Sequence, residues 1–178
     1  MFSVGDRLKH PNKPDCGLGQ VFSICPNGKL YIFFVGAGRI CLNPQYVSLV
    51  EAKESDAQCA ILDTLDNANF PFGRHNIYVI EMSRAILSER RFTKENPNRD
   101  PTKPCVYVGM TWHTPEERFQ QHMNDKHAAH YVYRYRQGAK LLYPLFQKFN
   151  PMHKRLAEMM EVERACQLRK QGYAVWQR

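Results

Sequence analysis

The sequence predicts an α+β chain: a small all-β unit over residues 1–53, a helical linker at 54–75, and a small antiparallel sheet flanked by helices over 76–178. Three observations predict it. Short runs of β-forming residues broken by tight turns fill the first part. An apolar strand at residues 105–111 runs directly into a strong helix-start signature. A long helical stretch stops near Gly172, and one more short apolar run, "GYAVW", follows it as a closing strand or docked tail.

In the first part, "VGDRLKHP" and "GLGQVFSIC" read as strands, with "PNG" (Pro26 to Gly28) as a turn after the second. "KLYIFFVG" and "RICLNP" are separated by the turn Gly36 to Gly38. About fifty residues suffice for a five-stranded barrel, although one of marginal stability. The motifs "VGDRLKHP", "GLGQV" and "LYIFFVGAGRICL" resemble the small SH3-like barrels found beside nucleic-acid enzymes.

The acidic stretch "ESDAQCAILDTLDN" predicts a helix, with Ser55 as cap and Ala57, Ile61 and Leu65 on one face. Beyond it, "NIYVIEM" is a strand and "SRAILSERRF" a short helix. "TKENPNRDPTKP" is a loop long enough to be a binding insert or a mobile segment. "CVYVGMT" is the next strand. In "TPEERFQQH", Thr114 is the N-cap, Pro115 takes the first helical position, and Glu117 closes a capping box. "HYVYRYR" alternates, which puts Tyr131, Tyr133 and Tyr135 on one side and Val132, Arg134 and Arg136 on the other. "KLLYPLFQKF" is partly helical but disturbed by Pro144. Asn150-Pro151 opens the long final helix.

Charge and cysteine usage bound the function. The net charge is +8, and it is unevenly placed: residues 76–178 hold eighteen Lys/Arg against ten Asp/Glu, whereas residues 54–75 hold one against four. A basic field of this kind favours a polyanion, most simply nucleic acid. The six cysteines are scattered and form no Cys-x-x-Cys pair, which reads as free thiols in a reducing compartment. No apolar run is long enough for a membrane span or a signal peptide, so a cytoplasmic protein is expected.

The C-terminal part resembles the GIY-YIG nuclease family. Four blocks carry the resemblance in order: "NIY" (Asn76 to Tyr78), "YVG" (Tyr107 to Gly109), "EERFQQH" with Arg118 and His122, and a glutamate on the late helix "AEMMEVERACQLRKQGYAVW". Two features depart from the pattern. Asn76 stands where the family has glycine, and residues 82–104 intervene between the two tripeptides.

The resemblance implies a GIY-YIG nuclease domain behind the SH3-like barrel, a metal-dependent DNA endonuclease, with RNA as a further possible substrate. It assigns the chemistry to Tyr78, Tyr107, Arg118, His122 and a glutamate. These residue types suit phosphodiester hydrolysis. A guanidinium forks onto phosphate oxygens. Phenols and an imidazole position water and move protons. One carboxylate holds a water-rich Mg2+, or Mn2+, that relieves charge at phosphorus. Candidates for that carboxylate are Glu158, Glu161 and Glu163. The family's spacing to a Leu-Arg pair, here Leu168-Arg169, points to Glu161, whose helical neighbours Ala157 and Ala165 are small.

Arg118 and His122 lie four apart and share a helix face. Arg90, Arg91, Lys94, Arg99 and Lys103 of the insert, with Arg134 and Arg136, are candidate nucleic-acid contacts. The spacing of His122, His127 and His130 fits no common zinc pattern. The alternative function is a non-catalytic nucleic-acid-binding module that keeps the nuclease fold. A second is an adaptor whose barrel binds a peptide.

Overall fold

A computed structural model describes residues 2–52, 58–65, 73–124 and 129–177. Among these residues it is a mixed α+β structure with two sheets and five α-helices. The first sheet is antiparallel. It is built from β1 (Arg7–Lys9), β2 (Leu18–Ile24), β3 (Leu30–Phe34), β4 (Gly38–Leu42) and β5 (Val50–Glu51). Its order is β4-β3-β2-β1-β5, and no ladder joins β4 to β5 among the described residues, so the expected barrel is an open sheet here. The β3–β4 hairpin turns at Gly38, whose φ of +72° suits glycine. A Cβ there would also lie 2.5 Å from the carbonyl oxygen of Lys148, so this turn packs directly on the later chain.

The expected linker helix is short, α1 (Cys59–Leu62), with Ile61, Leu62 and Leu65 buried. Ser55 and Ala57 lie outside the described residues.

The second sheet has the order β8-β6-β7-β9, from β6 (Asn76–Met82), β7 (Cys105–Thr111), β8 (Lys140–Leu141) and β9 (Ala174–Trp176). β6 pairs antiparallel with β7 along its whole length, with Tyr78 opposite Gly109 and Ile80 opposite Tyr107. β9 adds in parallel, with Trp176 beside Tyr107. β6 and β7 are almost wholly buried, which is why they read as near-continuous apolar runs.

The region between β6 and β7 is more structured than its polar composition predicts. A 3-10 turn over Arg84–Ser88 leads into α2 (Arg90–Glu95), anchored by the buried Phe92. Arg84 donates to the carbonyl oxygens of Pro101, Thr102 and Lys103. The amide N–H of Asp100 bonds the carbonyl of Gly172 at 2.8 Å. Asn96 is the main tie. Its Oδ1 accepts from the amide of Val175 at 2.7 Å, and its Nδ2 donates to the carbonyls of Phe92 and Val175. What looks like a free loop is a clamp on the edge of β9.

Two further readings are corrected. "HYVYRYR" forms helix α4 (His130–Arg134) rather than an alternating segment. Val132 and Tyr135, three apart, turn inward together, while Tyr133 is 40% exposed, so the three tyrosines do not share a side. The last helix, α5 (Lys154–Lys170), begins three residues after Pro151, with His153 as the cap that accepts from the amide of Leu156. Asn150 instead pairs with the backbone of Ile77, accepting its N–H at 2.9 Å and donating to its carbonyl at 2.7 Å.

One apolar core runs through both parts. Leu18, Phe33 and Val35 of the first part belong to the same cluster as β6, β7 and α5. A polar seam reinforces the join. Gln58 accepts from the amide of Leu18 at 2.7 Å and donates to Glu163 at 3.2 Å. Gln167 donates to the carbonyl of Val35 at 3.1 Å and to Glu163 at 2.9 Å. Among the described residues no helix is long and apolar enough to cross a membrane.

Candidate functional site

The site begins with strand register. Because Tyr78 faces Gly109 across the ladder and Ile80 faces Tyr107, both tyrosines lie on one side of the sheet. Helix α3 (Pro115–Asn124) crosses that side. Its start is fixed by a reciprocal capping box: the Thr114 amide donates to the Glu117 carboxylate at 2.9 Å, and the Glu117 amide donates to Thr114 Oγ1 at 3.2 Å. Two turns on, His122 is delivered onto the tyrosines.

The result is a closed triangle of rings. Tyr78 and Tyr107 have centroids 6.0 Å apart, and His122 stands 5.7 Å from each. The triangle closes over Gly109, where a Cβ would come within 2.6 Å of the Tyr78 hydroxyl and 2.8 Å of the Tyr107 ring. Glycine at this point is therefore a space requirement of the aromatic cluster.

Hydrogen bonding fixes the protons. Tyr78 Oη and His122 Nε2 are 2.8 Å apart, and His122 Nδ1 accepts the amide N–H of Ala129 at 3.3 Å. Burial, with the nearby Arg118 charge, pushes the imidazole pKa down to about 4, so the ring is neutral at pH 7. A neutral imidazole that accepts at Nδ1 carries its proton on Nε2 and donates it to Tyr78. The Tyr78 phenol is pushed well above its ordinary pKa by burial and then by Tyr107, while Arg118 pulls the other way with a hydrogen bond and its charge. Tyr78 is thus a phenol with its own proton to give.

Tyr78, Tyr107, Arg118 and His122 are accordingly brought together. Tyr78 and His122 are sealed from solvent and Tyr107 is 7% exposed. Arg118 and Gln121 form the half-exposed mouth, joined by a 2.8 Å hydrogen bond.

Glu161 is placed differently. It projects from α5 between Ala157 and Ala165, both wholly buried, one turn to either side. Burial, with the Glu158 charge, pushes its carboxyl pKa up to about 7 against a hydrogen bond from Gln177. Gln177 directly follows Trp176, the partner of Tyr107, so Glu161 sits at the end of β9.

The other late-helix carboxylates are occupied. Glu163 accepts from Gln58 and Gln167, and Glu158 lies 3.8 Å from Lys154. Among the described residues no group of three or more His, Cys, Asp or Glu could hold a metal ion. Glu161 nonetheless fits a cation that keeps most of its waters. Its row on the helix carries only small neighbours, and a positive charge would relieve a carboxylate that burial disfavours.

The basic residues of the insert are mostly engaged. Arg91 lies 3.2 Å from Glu95 and over the ring of Trp176. Arg99 donates to the carbonyl of Asn96, and Lys103 to that of Gln171. Arg134 pairs with Glu89 at 2.7 Å. Arg136 donates to the Tyr133 carbonyl and stacks on its ring. Arg90 and Lys94 are exposed on α2. His127 lies outside the described residues.

The sequence marks Asn76 only as a departure from the family's glycine. Its side chain donates to the carbonyl of His113 at 2.9 Å and ties β6 to the turn before α3. The place where glycine was expected therefore holds a brace. The signal was present, since an asparagine at a strand start beside a capped helix has a free amide to offer.

A family model described as "Protein of unknown function (DUF3553)" matches residues 2–52, which spans the first sheet. No curated protein and no solved structure matches the chain.

Proposed function

We propose that the C-terminal part is a phosphodiesterase site of GIY-YIG type acting on DNA, with the SH3-like first part helping to grip the substrate. The observation that carries this is the packing of Tyr78, Tyr107 and His122 around Gly109 with Arg118 at the mouth. Four residues from three separate elements converge, and the only half-exposed one is the guanidinium suited to a phosphate.

Arg118 takes the scissile phosphate on its outer face. Tyr107 stands next inward and orients the attacking water. Tyr78, held by the Nε2–H of His122, keeps a phenolic proton for an oxygen of the phosphate. The closed ring cluster keeps bulk water from the inner face, which strengthens each of these hydrogen bonds. Glu161 is the residue that would hold Mg2+ or Mn2+, which when bound relieves charge on the phosphoryl oxygens.

The test is supercoiled plasmid incubated with the full chain, with and without magnesium. Nicking that needs the cation and is lost in Arg118→Ala, at unchanged melting temperature, supports the reading. Its absence under all conditions overturns it.

A second reading has its own support. The burial of Tyr78 and His122, and the position of Glu161 beside Gln177, suit a nucleic-acid-binding module that keeps the fold without the chemistry. Salt-sensitive retention of plasmid without nicking favours that reading.

A further inference from the structure

Trp112 is 68% exposed, one residue past the end of β7. A single exposed aromatic is ordinary. This one sits on a turn held from several sides. Asn76 donates to the carbonyl of His113, the His113 amide donates to Thr111 Oγ1 at 3.1 Å, and Thr114 closes the capping box with Glu117. The indole rests on the His113 imidazole, with centroids 4.1 Å apart and planes 34° apart. His113 Nε2 lies 3.3 Å from the side-chain nitrogen of Gln121, and Gln121 Oε1 accepts from Arg118 at 2.8 Å. A continuous line of contacts therefore runs from an open aromatic face to the guanidinium at the mouth of the site.

We infer that Trp112 is a stacking platform for a nucleobase of a single or splayed strand whose phosphate lies at Arg118. This rests on the nucleic-acid reading above and adds how a strand is held. Indole offers the largest π-face of any side chain, and stacking tolerates any base. A braced turn loses little freedom when the base arrives, so the contact energy is retained in binding. The ligand is a nucleic acid because the flat surface and a phosphate-binding cation are joined through two side chains, in the part of the chain that carries eighteen Lys/Arg against ten Asp/Glu.

The two tryptophans make the test direct, since Trp176 is 3% exposed and Trp112 supplies the accessible emission. The full chain, in EDTA to prevent cleavage, is titrated with a short oligothymidylate and with an abasic strand carrying the same number of phosphates. The expected result is that the oligothymidylate quenches tryptophan emission, shields it from acrylamide and binds about ten-fold tighter than the abasic strand. Trp112→Ala removes that advantage and leaves abasic-strand affinity unchanged, while Trp112→Phe keeps most of it.

Equal affinity for the two strands in the unaltered chain, or equal loss for both in Trp112→Ala, overturns the inference. Base-dependent binding without any plasmid nicking sinks the nuclease reading and leaves the platform standing. Nicking with binding indifferent to Trp112 does the reverse.

Discussion

Tyr78 and His122, forty-four positions apart in the chain, meet through a 2.8 Å hydrogen bond at a point where neither touches solvent. His122 is neutral there, which leaves Nδ1 free to accept the amide N–H of Ala129 while Nε2–H donates to Tyr78. The imidazole pKa of about 4 lies below the ordinary 6.5, as burial dictates.

The sign of the pH dependence follows. Between pH 6.5 and 4 the unfolded chain takes up a proton at His122 that the folded chain refuses, so falling pH favours unfolding. The stabilisation is complete above about pH 6.5 and lost as pH falls through about 4. His122→Gln, which cannot titrate, should flatten this part of the profile by on the order of 3 kcal/mol. Urea unfolding of both proteins across that range measures it, and parallel profiles would show that the imidazole is not held neutral.

Gly109→Ala should be costly although alanine suits a strand better. The added methyl would stand 2.6 Å from Tyr78 Oη and 2.7 Å from its Cζ, and the rings cannot retreat because His122 backs them. Overpacking of this kind costs about 1–3 kcal/mol. The melting temperature should drop, and near-ultraviolet circular dichroism from the tyrosines should change while the far-ultraviolet spectrum holds.

Asn96→Ala should release β9. Asn96 is 3% exposed and bonds both the amide and the carbonyl of Val175, so its loss strands the amide and leaves the carbonyl to the Arg169 guanidinium alone. A penalty of about 1–3 kcal/mol is expected. Hydrogen exchange should quicken first at Val175 and Trp176, and then at Tyr107, which pairs with Trp176.

Glu161→Gln separates two roles in one variant. In the folded state the carboxyl pKa is raised to about 7 from 4.5, so its stabilisation is present below about pH 4.5 and lost as pH rises through about 7. The glutamine variant should therefore melt higher than the parent at pH 8 and match it at pH 4. If Glu161 holds the cation, the same variant loses magnesium-dependent nicking. Unchanged nicking would move the ligand elsewhere.

Arg90 and Lys94 stand out from the protein-bound cations of the insert, being exposed along α2. If the chain binds DNA as proposed, replacing either with alanine should lower the salt dependence of that binding by about one phosphate contact without changing stability. Replacing Arg84, which bridges three carbonyls, should reduce stability instead. Fluorescence anisotropy against salt, paired with thermal melts, distinguishes the two.

Much of this was legible in the sequence for physical reasons. "NIYVIEM" and "CVYVGMT" form the strands read from them because a doubly covered strand must be apolar throughout. The capping box at Thr114 was readable because it is a local interaction. The short helix and the loop of the insert were legible, but its anchoring was not, because that anchoring is not local. Asn96 and Arg84 bond backbone groups far along the chain, and a polar sequence carries no mark of that. "HYVYRYR" misled for a different reason: alternation over so few residues also fits a helix in which Val132 and Tyr135 point inward. Motif order singled out the tyrosines, Arg118 and His122, four residues that the fold brings together. Trp112 was passed over because its stack on His113 and its place on a braced turn show only in three dimensions.

Phe33 and Val35, contributed by the first part of the chain, are wholly enclosed by the same apolar mass that supports α5 and the tyrosine strands. Neither half can loosen without uncovering the other. Calorimetry of the full chain should therefore show a single cooperative endotherm, and a core lesion as remote as Phe33→Ala should depress the same transition that dissolves the phenol–imidazole pair.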